Sequence, residues 1–129
     1  MHTLSSMFFS SLALAALTTT GCASREVTVS GTADAEAPLV GKLKVRVYDL
    51  SDEKNPKFIQ SIELEKLGPF TAKVNIDGDK VRLIAIDDAN GNDSCDAGEQ
   101  SEKMDATITD DEAKVSLRVV KGACPALPE

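Results

Sequence analysis

The chain has 129 residues, with 14 Lys and Arg against 21 Asp and Glu and a formal net charge of -7. That length suits one domain with one core, and the acidic balance repels nucleic acid and anionic headgroups while favouring cations. The only histidine is His2 and tryptophan is absent, so Ser-His-Asp, Cys-His and ordinary zinc sites cannot be assembled beyond the first residues.

Residues 1–21 contain no Asp, Glu, Lys or Arg. Met7-Phe8-Phe9 and the run from Leu12 to Leu17 make an apolar stretch of roughly ten residues, half the ~20 that a permanent membrane helix needs, so a cleavable signal fits better. Thr20-Gly21-Cys22 closes the stretch with small residues directly before a cysteine. This resembles the lipobox of bacterial lipoproteins, whose cysteine is diacylated and becomes the new N-terminus. The resemblance implies a signal peptide over 1–21, lipidation of Cys22, a short tether over 22–26 and a place in the bacterial cell envelope. Ala23, where Asp is absent, implies the outer membrane. With Cys22 acylated, Cys95 and Cys124 remain as one pair in an oxidising compartment. A bridge closing about 30 residues stabilises a fold by roughly 3 to 4 kcal/mol in the chain-entropy view.

From residue 27 onward the pattern has period two. Val27 and Val29 alternate with Thr28 and Ser30. Leu43, Val45 and Val47 alternate with Lys42, Lys44 and Arg46, and Ile62 and Leu64 with Ser61 and Glu63. Phe70, Ala72, Val74 and Ile76 alternate with Thr71, Lys73 and Asn75. The run Val81 to Ile86 is apolar on both faces, which predicts a central strand. Ala106 and Ile108 precede a turn at Asp110-Asp111, and Ala113, Val115, Leu117 and Val119 alternate with Lys114, Ser116 and Arg118. Turn residues at Asn55-Pro56, Gly68-Pro69 and Asp77-Gly78-Asp79 separate the runs, the last expected as an ordinary hairpin turn. No segment sustains a helical period.

The expectation is an all-β domain over 27–129, about seven strands in an antiparallel Ig-like or transthyretin-like β-sandwich. The Trp that marks antibody-type domains is missing. Val29-Ser30-Gly31-Thr32 and the run Gly78 to Asp87 are similar to transthyretin-like domains related to carboxypeptidase regulatory modules.

Residues 87–102 hold six carboxylates and no basic residue. Calcium takes six to eight oxygens, and a twelve-residue loop supplies them from places 1, 3, 5, 7, 9 and 12. Counted from Asp88, these are Asp88, Asn90, Asn92, Ser94 through its carbonyl, Asp96 and Glu99 as the bidentate carboxylate. Counting from Asp87 puts Ala89 and Gly91 at ligand places, so one frame works. Asn at alternate sites argues against a merely solvated acidic loop. The segment resembles EF-hand-like calcium loops, more closely those of β-sandwich repeats in bacterial surface proteins, and the resemblance implies Ca2+ over 88–99. Asp93 stands at the sixth place, where that loop normally has Gly, and Cys95 at the eighth, where an apolar residue is usual.

These features imply a non-enzymatic, calcium-stabilised module held on the membrane by a lipid anchor, structural or binding an envelope protein partner, with no nucleic acid. The alternative is an accessory lipoprotein of a transport or secretion complex that captures a small ligand between sheet and loops. A carboxylate-based hydrolase is a third reading. Beyond residue 22, Tyr48, Phe58 and Phe70 are the only aromatics, and their spacing suggests core positions more than a sugar platform.

Overall fold

The computed structural model describes residues 24–122 and 124–128. The expected signal peptide and the lipid-bearing Cys22 lie outside the described residues. Those described form seven strands and no helix: β1 (Arg25–Ala35), β2 (Lys42–Asp49), β3 (Lys57–Leu64), β4 (Gly68–Ile76), β5 (Lys80–Asp88), β6 (Gln100–Thr107) and β7 (Glu112–Lys121). β1 takes in Arg25 and Glu26, which the sequence assigned to the tether.

The alternating residues do what their pattern requires. Val27, Val29, Leu43, Val45, Val47, Val74, Ile76, Leu83, Ala85, Leu117 and Val119 are buried in one core that draws on both halves of the sheet. Beta-branched residues dominate it because they pack well on a pleated surface. β5 lies between β2 and β6, and its second face, Ile84 and Ile86, forms a smaller core with Tyr48. Cys95 and Leu127 pack against that second cluster, so a loop and the C-terminal segment cover the outer face of β2 and β5.

The strand order is β3-β2-β5-β6-β7-β1-β4. The sheet is mixed, against the expectation of purely antiparallel pairing. β1 runs parallel to β7, from Thr28 opposite Glu112 to Ala35 opposite Val119, while β1–β4, β2–β3, β2–β5, β5–β6 and β6–β7 are antiparallel. Gly31 permits the parallel contact: a Cβ there would lie 1.7 Å from the carbonyl oxygen of Val115. The β6–β7 ladder holds only Gln100–Lys121 and Ser101–Val120. The sheet can fold over there, and its two end strands, β3 and β4, come into contact, so the architecture nearly closes into a barrel.

Asp77–Asp79 is therefore a crossing rather than the expected hairpin turn, because β4 pairs with β1 and β5 with β2 and β6. The other acidic turn is a true two-residue hairpin connection. Thr109 and Glu112 exchange both backbone hydrogen bonds, at 2.9 and 3.0 Å. Asp110 and Asp111 between them have φ of 53° and 59°, the left-handed pair that matches strand twist. Phe58 also departs from expectation. It is 38% exposed, lies edge-on to Tyr48 with ring centroids 5.7 Å apart, and carries the Arg46 guanidinium 4.5 Å over its ring.

Candidate metal centre

β5 ends on two buried aspartates that face opposite ways, because successive side chains in a strand alternate. Asp87 accepts the N–H of Val40 at Oδ2 and of Gly41 at Oδ1, both at 2.8 Å. Gly41 has no room for more than hydrogen, since a Cβ would sit 2.3 Å from the Asp88 carbonyl oxygen. Both Asp87 oxygens are thus committed to fixing the chain ahead of β2. Asp88 points the other way and opens the loop.

Asp88 is only 3% exposed. Its Oδ1 accepts the Asn92 N–H at 3.2 Å and its Oδ2 the Asp93 N–H at 2.8 Å, bending the loop back over its first residue. The bend puts Asp93 at φ 61° and Gly91 at φ 71°. Asp occupies the left-handed region more readily than most residues because its short side chain bonds locally. Asn90 Oδ1 accepts the N–H of Asn92, and Asn92 Oδ1 the N–H of Ser94. The amide groups of Asn90 and Asn92 both donate to Asp96 Oδ2, at 2.8 and 2.7 Å. Glu99 closes the loop: its two oxygens accept the N–H of Asp96 and of Ala89, each at 2.8 Å.

Five of the six candidate ligands, Asp88, Asn90, Asn92, Asp96 and Glu99, are thereby joined in one hydrogen-bonded network. Ser94, whose carbonyl is the expected ligand, enters it through its N–H. Cys95 and Cys124 are bridged, with Cα atoms 5.8 Å apart, which ties the middle of the loop to the C-terminal segment. Among the described residues no three His, Cys, Asp or Glu side chains stand together as a metal-holding group. Asp88, Asp96 and Glu99, the three carboxylates among the candidate ligands, are thus not gathered around one point, and each is held by hydrogen bonds instead. All six candidate places carry hard oxygen atoms, the donor type that calcium takes rather than the nitrogen and sulfur common at zinc.

The chain matches no protein-family model and no curated protein.

Lys44 is the residue that sequence reasoning missed. On β2 it stands opposite Ile86, so Asp88 is its diagonal neighbour on the outer face. Its Nζ lies 3.0 Å from Asp88 Oδ2 and is also hydrogen-bonded to Asp93 Oδ1. The hydrogen bond to Asp93, then that to Asp88, holds the ammonium well above its usual range. At Asp88, burial is the largest single influence and pushes the carboxyl up, but Lys44 and the Asp93 and Asn92 amides together outweigh it. The net shift is downward and the group stays ionised. In the sequence Lys44 is one more polar residue in an alternating strand, and nothing there marks it as facing the loop.

Proposed function

We propose that this chain is a non-enzymatic, lipid-anchored module of the bacterial cell envelope, a transthyretin-like sandwich whose loop over residues 88–99 holds a calcium ion. The observation that carries the reading is the single network joining Asp88, Asn90, Asn92, Asp96 and Glu99, which are places 1, 3, 5, 9 and 12 of one twelve-residue loop. Three ligand carboxylates outside the cytoplasm suit weak binding, of order 10⁻⁴ to 10⁻³ M as in extracellular modules. The ion then serves to brace a small domain, and the surface around it is available to an envelope partner. Thr20-Gly21-Cys22 supports the anchor, and the acidic surface supports the absence of a nucleic-acid partner.

The test is thermal unfolding of the full chain in detergent, with millimolar calcium and with chelator. Calcium raises the melting temperature of the unaltered protein and leaves that of the Asp88→Ala, Glu99→Ala double variant unchanged. An equal rise in both removes the site. Cys22→Ser is expected to shift the protein out of the membrane fraction, and its persistence there removes the anchor.

A further inference from the structure

We propose that Asn90-Gly91 is a self-modifying site: the Gly91 backbone nitrogen displaces the Asn90 side-chain amide, so that the loop acquires an aspartate or isoaspartate at position 90 without an enzyme. No metal takes part, so the site stands whether or not calcium binds the loop.

The chain has four asparagines, Asn55, Asn75, Asn90 and Asn92, and the residue after each decides what its side chain can do. Ring closure needs the next backbone nitrogen free to reach the side-chain carbonyl carbon. Pro56 follows Asn55 and has no N–H to lose. Asn75 lies in β4, held opposite Glu26 in the ladder with β1, and the branched side chain of Ile76 after it is fully buried. Asp93 follows Asn92, carries a Cβ, and commits its N–H to Asp88 Oδ2 at 2.8 Å. Asn90 alone is followed by glycine. Lacking a Cβ, glycine lets other atoms approach its backbone closely, and a Cβ built at Gly91 would meet nothing within 4 Å. The Gly91 N–H reaches the Asp88 carbonyl at 3.4 Å, longer than an ordinary bond of this kind. Asn90 and Gly91 are both exposed.

The loop also curls the reacting carbon toward that nitrogen. Asn90 Oδ1 accepts the Asn92 N–H at 3.2 Å, the local turn in which a short side chain folds over the peptide that follows it, and this bond polarises the carbonyl under attack. A bond forms from Gly91 N to Asn90 Cγ, and the Gly91 proton passes to water. The Cγ–Nδ2 bond breaks, and its nitrogen leaves as ammonia with a proton from water. Water then opens the cyclic imide at one of its two carbonyls: attack at Cγ leaves aspartate, and attack at the backbone carbon leaves isoaspartate, whose main chain runs through the side-chain carbons. Either product removes the Nδ2 donor that Asp96 Oδ2 accepts at 2.8 Å and sets a second carboxylate beside it. Like charges so close repel, and Asp96 keeps the Asn92 amide as its side-chain donor. Modification therefore loosens the turn.

Incubation of the full chain for days in mildly alkaline buffer, followed by peptide sequencing in a mass spectrometer, tests this. Replacement of NH by O at residue 90, part of it as isoaspartate, is expected to exceed conversion at Asn55, Asn75 or Asn92 at least about tenfold. Gly91→Ala is expected to slow it about tenfold. Asn90→Gln, which keeps an amide but lengthens the side chain, abolishes it and serves should Gly91→Ala fold poorly. The modified chain, separated by its added negative charge, melts below the unmodified one, and so does Asn90→Asp. Absence of conversion at residue 90 in the folded chain overturns the inference, and conversion of the same chain in urea then shows that the loop's own bonds shield Asn90. Equal conversion at Asn92 also overturns it, because exposure and not the glycine then decides. Equal melting of modified and unmodified chains overturns the loosening of the turn.

Discussion

The two ends of the β2–β5 pair are both closed by buried aspartates, and they are satisfied in different ways. At one end Asp49, 1% exposed, accepts the N–H groups of Ser51 and Asp77 at 2.8 Å and of Gly78 at 3.3 Å. All of its donors are backbone amides of fixed turns. Asp87 at the opposite end is built the same way. Asp88, one residue on, shares its oxygens between two loop amides and a lysine on another strand. Backbone donors cannot leave without unfolding the turn that carries them, whereas a lysine is held only by its side chain. The Asp49 end is held by backbone donors alone, and the Asp88 end also by a side-chain cation.

The Asp88 end owes its largest single increment of stability to the disulfide. Cys95→Ser with Cys124→Ser is expected to lower stability by about 3 to 4 kcal/mol, read by chemical denaturation of the full chain. The bridge spans 29 positions and ties the Asp88 end to the C-terminal segment over Tyr48, Ile84 and Ile86. A loss under about 1 kcal/mol, far below the chain-entropy value, means that packing of Leu127 and its neighbours already holds the segment. Next comes Asp49→Ala, which orphans three amides and is expected to cost about 3 kcal/mol. It leaves the calcium-dependent increment intact, because sites at opposite ends without shared partners add. Loss of that increment in Asp49→Ala shows that the two ends are one unit. The smallest effect is calcium itself, about 1.4 kcal/mol at ten times its Kd, and chelator removes it.

Much of this molecule was legible beforehand because alternation reports burial. It touched each of the seven strands, though β6 only at Ala106 and β3 only from Ser61 onward, it singled out β5 as central, and cysteine parity paired Cys95 with Cys124. It could not say which strand lies beside which, or in which direction, because a period of two encodes a face and not a neighbour. Hence the parallel β1–β7 pairing was missed, and Asp77–Asp79 looked like a hairpin. Most of β6 escaped for another reason. Gln100 and Ser101 are buried although polar, since the Gln100 side chain accepts the Ala37 N–H and donates to the Ala37 carbonyl, both at 2.9 Å. A hydrophobicity pattern is blind to a polar residue that finds its partners 63 positions away. Oxygen spacing predicts a loop frame, but no spacing could show the contact of Lys44 with Asp88, because it comes from register between strands.

The parallel seam between β1 and β7 also bears on how this chain reaches its native state. The first strand can pair with β4 early, Thr28 opposite Lys73, but its second ladder waits for the last strand, where Thr28 stands opposite Glu112. Contacts so distant along the chain slow folding, since the loop must be closed before any of them stabilises it. A growing chain released residue by residue would keep the β1–β7 ladder incomplete until Val119 emerged. The β1–β7 ladder is thereby among the last parts of this sheet that can form as the chain emerges.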